Sequence, residues 1–298
     1  MTTTSRPPIR GRAGGTLAVL GAASIWGVTF TLTKPALGHF QPFQVAFLRT
    51  VFALPVLAAL HVRSGRPLPS LRFAAPFAAT GLVGYFMFTN LGLERTSAAV
   101  GAVIQGAGPA LTAAIAIPAL AERPTRAVAA SVVLAGAGVA VMTSGTAGAA
   151  GSSAAGIALL GCATLSWAVY TVLGRRSASS HSAIQQSFLP AVLAAAVLAV
   201  PAALEGRPHA PASAWLLVVL LGLVGGGLAY PLWNLGVSRT PAAIAGVLSN
   251  ASPVVAVAVA VGVLGEPVGG RELAGGLLVI AGALLVTRGL PEPVFEPQ

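Results

Sequence analysis

Apolar runs of about 17–23 residues follow one another along the chain, each long enough to cross about 30 Å of hydrocarbon as a helix. They fall at about 16–33, 42–61, 73–92, 98–120, 127–143, 155–173, 184–204, 214–236, 242–264 and 273–288. Short separators rich in Gly, Pro and Arg divide them: RSGRPLPS at 63–70, ERPTR at 122–126, EGRPHAP at 205–211 and GEPVGGRE at 265–272. The runs show no alternation of polar and apolar positions, which argues against a membrane barrel. Open sheets are excluded because lipid leaves backbone edges without partners. The pattern predicts an all-α integral membrane protein of ten transmembrane helices.

The second half of the chain repeats the first. NLGLERTSAAVGAVIQGAGP at 90–109 and NLGVSRTPAAIAGVLSNASP at 234–253 agree at 10 of 20 positions with no gap, 144 residues apart. Earlier in each half the offset is 141, pairing Trp26 with Trp167, Gln44 with Gln185 and Phe47 with Phe188. Each half holds five spans, and five is odd, so the second half enters the membrane upside down. A 5+5 inverted repeat is the device by which transporters build two oppositely open states from one pattern. The expected divisions are a disordered cytoplasmic N-terminus at 1–14, a first five-helix repeat at 15–145, a second, inverted one at 154–288 and a cytoplasmic tail at 289–298.

Composition agrees with a bilayer. Hydrophobic residues make up 55% and charged residues 8% of the 298 residues, against about 25% charged in typical soluble domains, and mean hydropathy is +0.85. With the N-terminus inside, twelve basic residues fall on the cytoplasmic side, while Lys34, Arg95, Arg207 and Arg271 fall outside and Arg49 lies within a span. The positive-inside rule therefore places both termini in the cytoplasm. The same scatter over helix ends explains the net charge of +10 and argues against nucleic acid, which needs a clustered basic face. Cys162, the single cysteine, is expected to be a buried inert thiol.

Several segments carry a family resemblance. SIWGVTFTLTKP in span 1, FQVAFLR in span 2, Pro109 in span 4 and ALAERPT are echoed by SWAVYTVLGRR, Pro253 and VLGEPV in the second half. In this order, over about residues 15–288, the chain resembles the EamA-like family of the drug/metabolite transporter superfamily. The resemblance implies a helical bundle in the inner or plasma membrane with a central cavity. It also implies outward movement of amino acids, other metabolites or toxic compounds, as a metabolite exporter or a multidrug efflux carrier. Fold alone does not choose a substrate.

Polar and aromatic groups at membrane depth are the candidates for that cavity. Gln105, Ser249 and Asn250 lie near mid-span, beside small-residue stripes that serve helix packing. Pro109 and Pro253 each free a backbone carbonyl and allow a kink, read either as a gate or as a static bend. Trp26 and Trp167 are repeat mates near the midplane, and Tyr85, Tyr170, Tyr230 and Trp233 add ring faces; core packing and a substrate pocket are equally good readings. Asn90 and Asn234 are expected to cap helices. Arg49, roughly 10 Å deep at 1.5 Å rise per residue, has no interior acid to pair with. Either it hydrogen-bonds freed carbonyls or snorkels along its stem to the outer interface, where Lys34 also lies, or it faces the cavity and offers a bidentate fork to a carboxylate or phosphate.

All seven acids are glutamates in loops, tails or span ends, so proton coupling could use only a terminal residue such as Glu122 or Glu266. The four histidines also fall at span ends, where solvation is the ordinary state. No metal-ligand cluster, nucleophile motif or phosphate loop appears, so a membrane-embedded enzyme is the weaker alternative and no cofactor is expected. A channel would want a continuous polar line, and a receptor would want a soluble domain. The expected partners are a small-molecule substrate and the lipid bilayer; monomer and homodimer stay open.

Overall fold

The computed structural model describes residues 10–96, 104–121, 125–144, 153–252, 254–255, 258–259 and 270–288. All regular structure among them is helical. The first half contains α1 (Arg10–Leu37), α2 (Pro42–Ser64) and a rod made of α3 (Leu71–Phe77), a π-helix π1 (Ala78–Gly84) and α4 (Tyr85–Glu94). After these come α5 (Gly108–Leu120) and α6 (Arg126–Thr143). The second half contains α7 (Ala154–Arg176), α8 (Phe188–Leu204) and a rod of α9 (Ala212–Leu220), π2 (Leu221–Leu228) and α10 (Ala229–Arg239). It continues with α11 (Ala242–Ser249) and α12 (Gly270–Arg288).

Among the described residues, four helices are long and apolar enough to cross a membrane by length and composition: Pro42–Ser64, Leu71–Glu94, Ala154–Arg176 and Ala212–Arg239. Shorter apolar helices include Ala13–Thr29, Ile104–Leu120, Arg126–Gly138 and Phe188–Leu204. The run expected at 184–204 starts later as a helix, because residues 183–187 form turns. There Gln185 is drawn out of the helical pattern, accepting from the Ser182 amide at 3.0 Å and donating to the Pro67 carbonyl at 2.9 Å.

Polarity runs inside out relative to a soluble domain. Leu204 is 82% and Val62 78% exposed, whereas Gln44, Arg49, Asn90, Gln186, Asn234 and Asn250 are buried. Apolar side chains on the outside cost nothing where the neighbour is a lipid tail, and buried polar groups find partners only inside the bundle. Cys162, expected to be buried, is exposed. It lies one turn from exposed Leu165 on α7, on the outward stripe of that helix. A thiol is apolar enough to face lipid, so the expectation failed because burial and hydrocarbon contact look alike in sequence.

Close contacts recur at the repeat offsets. Gly156 on α7 lies against Arg95 and Thr96, and Gly15 on α1 lies against Arg239 and Thr240. Gly92 packs on Leu160, and Gly236 on Val19. Gly138 meets Gly275 and Val279, and Gly282 meets Ser131 and Ala135. In each pair a helix from one half touches a helix from the other, so the two halves interlock rather than stand side by side. Small residues at the crossings let backbones approach. Gly65 and Gly206, 141 apart, end α2 and α8 with left-handed φ of 60° and 86°, a conformation open to glycine without Cβ strain.

The two π-helices are also repeat mates: Ala78–Gly84 shifts by 144 to 222–228, inside Leu221–Leu228. π-helices are rare and cluster at functional sites. Gly222, Gly226 and Gly227 of π2 let α2 approach closely along Phe52, Ala53 and Val56. That use explains Gly226 and Gly227, while Gly225 lies against Thr29 of α1.

Candidate functional site

Rings from both halves meet where the π-helices cross the bundle. Trp26 of α1 stands edge-on to Trp167 of α7, with centroids 5.0 Å apart and planes at 86°. Around this pair lie Tyr230 and Trp233 of α10, at 5.6 and 5.4 Å from Trp26. Tyr170 stacks on Trp167 at 5.1 Å, and Tyr85 of α4 lies 5.1 Å from the same ring. Edge-on and offset pairs set the positive ring edge against the negative face, worth about 0.5–1.5 kcal/mol each beyond burial. The repeat mates Trp26 and Trp167 thus form the centre of one cluster.

The π-helices hold the polar ends of these rings. A widened turn exposes a carbonyl, and repeat-mate glycines supply it: Tyr230 Oη donates to the Gly81 carbonyl at 2.7 Å, and Trp26 Nε1 donates to the Gly225 carbonyl at 2.9 Å. Gly81 has no room for a Cβ, because the Tyr170 ring occupies that space.

Arg49 reaches the cluster through Phe86. Its guanidinium carbon sits 4.0 Å from the Phe86 ring centroid, a cation–π contact of about 2 kcal/mol when desolvated. Phe86 in turn lies 6.2 Å from Tyr230 and 5.6 Å from Tyr85. Arg49 therefore neither snorkels nor pairs with an acid among the described residues; the ion pair found there is Glu94 with Arg95 at 3.5 Å, exposed at a helix end. Lys34's side chain lies outside the described part.

Among the described residues, buried donors in this region without a protein acceptor include Arg49 Nε, Gln105 Nε2 and Trp233 Nε1. Gln105 stands beside Tyr85, whose hydroxyl approaches its Oε1 at 3.5 Å. Buried donors without partners cost about 1–3 kcal/mol each, so a ligand bearing acceptors would gain by entering. Asn250 Nδ2 is another such donor, at the end of α11. Ser249 is satisfied locally, donating to the Gly246 carbonyl at 2.6 Å.

The apolar helix Ile104–Leu120 is interrupted one turn into it, just before Pro109. Ala107 forms a turn after the helical residues 104–106, and α5 starts at Gly108 with Pro109 in its first turn. The missing amide costs nothing there. In the second half α11 ends at Ser249; Pro253 lies outside the described residues, as do Glu122 and Glu266.

Asn90 and Asn234 are not caps. Both are buried within helices. Asn90 Nδ2 donates to the Pro42 carbonyl at 2.8 Å, and Asn234 Nδ2 to Tyr170 Oη at 2.7 Å and Ser187 Oγ at 2.9 Å. They tie helices together at repeat-related places, a role that position near a span end cannot reveal. Two histidines also depart from simple solvation: His61 stacks on Phe188 at 4.8 Å, and His181 on Phe73 at 3.6 Å.

Glu205, also missed, clamps the bundle end. Its carboxylate accepts from the Phe43 and Gln44 amides at 3.1 and 2.8 Å, and Gln44 Nε2 donates to the Gly206 carbonyl at 2.9 Å. A carboxylate on free amides at a helix N-terminus is a strong arrangement. Glu205→Ala should lower the unfolding free energy by about 1–3 kcal/mol, seen as a lower midpoint of thermal unfolding in detergent, and Glu205→Gln should lose less.

An interlocked helical bundle with an apolar exterior and a cationic aromatic centre is the form of a membrane carrier, and comparison with known proteins agrees. The chain belongs to the EamA-like transporter family, whose profile matches it twice, at residues 13–144 and 154–288. It is 29% identical to the uncharacterized transporter YyaM of Bacillus subtilis over 95% of this chain and 96% of that one. It is 29% identical to the aromatic amino acid exporter YddG of Ancylobacter novellus, covering 92% and 95% of the two chains. A probable amino-acid metabolite efflux pump of Salmonella typhimurium is 28% identical, over 91% and 93%. A solved crystal structure of 26% identity superposes with a TM-score of 0.80 over 93% of this chain and 97% of that one. The protein is thus a multi-pass transporter of the cell membrane.

Proposed function

We propose that this transporter exports small metabolites that carry a carboxylate, amino acids among them, by alternating access around the aromatic centre. The carrying observation is Arg49: a buried guanidinium on Phe86, with no acid beside it among the described residues. A substrate carboxylate would take the planar fork, and the rings of Trp26, Trp167 and Tyr85 would receive an apolar or aromatic side chain. The buried donors of Gln105 and Trp233 favour a ligand with acceptors. The names of the relatives from Ancylobacter novellus and Salmonella typhimurium agree with this substrate class.

The architecture proposed for this movement is a ten-helix 5+5 inverted repeat with both termini in the cytoplasm. The recurring glycine contacts and the paired π-helices support it. Rocking one interlocked set against the other would exchange the latches of Tyr230 on Gly81 and Trp26 on Gly225.

Proteoliposomes preloaded with labelled aromatic and aliphatic amino acids, nucleosides or cationic drugs test the reading. Efflux of amino acids well above empty vesicles is expected. Flux at the level of empty vesicles across the whole panel would refute it. Topology is checked on a Cys162→Ala background with an impermeant thiol reagent in intact cells. Cysteines at Gly148 and Gly206 should react, and those at Ser64 and Ser179 should be protected. Labelling at Ser64 but not Gly148 would overturn the orientation and with it the inversion.

A further inference from the structure

A cavity of about 540 Å³ lies away from the aromatic centre, at the bundle end where Pro42, Leu204 and Ala212 sit. Its floor is α2, through Gln44 and Phe47, and its walls are α8, through Ala199 and Ala203, and α9, through Trp215. The loop bearing Arg207 closes the top. The apolar side chains flanking it point outwards: Val200 is 65%, Leu204 82% and Leu216 57% exposed. In a bilayer those positions touch lipid tails, so the rim of the groove borders the hydrocarbon.

Its polarity is graded. Gln44, Gly206 and Arg207 line the end at the helix termini, and the part running along α2 and α8 is apolar. Arg207 is exposed and makes no ion pair among the described residues: Glu205, two residues away, turns both carboxylate oxygens to the amides of α2 and not to the guanidinium. His209 is the other titratable group of that loop. A cation at the headgroup level above an apolar slot matches one kind of occupant, an amphiphile with an anionic head.

We propose that this groove is a binding site for an anionic phospholipid, with the headgroup phosphate on the Arg207 guanidinium and an acyl chain along Phe47, Ala199 and Ala203. An arginine forms a fork that suits phosphate oxygens. The Trp215 ring lies beside the chain, at the interfacial depth where such rings are favoured. The site is independent of the transported substrate.

Trp215 reports on it. The protein is reconstituted in phosphatidylcholine vesicles containing increasing amounts of brominated phosphatidylglycerol or brominated phosphatidylcholine. The Trp215 contribution is the fluorescence of the wild type minus that of Trp215→Phe. Brominated phosphatidylglycerol should quench this contribution at about fivefold lower mole fraction than brominated phosphatidylcholine, the preference that one arginine near the surface confers. Arg207→Gln should abolish the preference, and Ala203→Phe, which fills the slot, should weaken quenching by both lipids with Arg207 in place. Added inorganic phosphate should leave quenching unchanged; relief of quenching by phosphate would mean an anion site without an acyl slot. Identical curves for the two lipids in the wild type, or a preference that survives Arg207→Gln, would overturn the assignment.

Discussion

Replacing Arg49 by Gln should cut transport of amino acids by about a hundredfold or more while the protein still inserts and remains monodisperse in detergent. The expectation rests on the cost of leaving a carboxylate without its charged partner in a buried site, about 2–5 kcal/mol. The glutamine keeps hydrogen-bonding capacity but no charge, and it loses the cation–π contact with Phe86. Arg49→Lys should recover only part of the rate, because a point charge cannot offer two parallel donors to a carboxylate. Phe86→Leu should preserve the bundle and yet weaken substrate binding, since the guanidinium would lose the face that orients it. Counterflow in proteoliposomes, normalised to the amount of folded protein, measures all three. Normal rates in a well-folded Arg49→Gln protein would remove Arg49 from the site.

Gly81→Ala should destabilise the protein by about 1–3 kcal/mol, the usual cost of overpacking. A Cβ there would occupy the space of the Tyr170 ring. Tyr170 is fully buried and accepts from Asn234 at 2.7 Å, so it has nowhere to turn without breaking that contact. The same backbone accepts the Tyr230 hydroxyl, so loss of transport should accompany the loss of stability. Gly161→Ala is the matched control: no atom lies within 4 Å of its would-be Cβ, and alanine is the better helix former. The midpoint of thermal unfolding, read by monodispersity in detergent, should fall for Gly81→Ala and hold or rise for Gly161→Ala. Equal midpoints would mean that π1 can relax away from α7.

The aromatic centre was partly legible in the sequence. Trp26 and Trp167 stood out because the repeat placed them at equal depth, and Arg49 because a charge inside an apolar run is expensive. Phe86 carries no such signal, since a phenylalanine in an apolar span is ordinary there. Glu205 was one of seven acids in loops, tails or span ends, and its clamp on α2 exists only because α8 ends beside the start of α2. The π-helices left no trace in periodicity. Their glycines can be read as packing residues as readily as widened turns, and it is the crossing helix that decides.

By itself the sequence determined the solvent, the helical class and the internal duplication, because each is written in composition or in spacing along the chain. Hydrocarbon demands long apolar runs with internally satisfied backbone, and a duplication leaves the same residues at a constant offset. Tertiary structure alone decided which side chains of distant spans meet: Arg49 on Phe86, Tyr230 on Gly81, Asn234 on Tyr170. It also turned Cys162 outwards. In lipid both faces of a helix are apolar, so the contrast that marks the inner face of a soluble helix is missing. Rotation about each helix axis is then set by close packing at small residues and by a few buried hydrogen bonds.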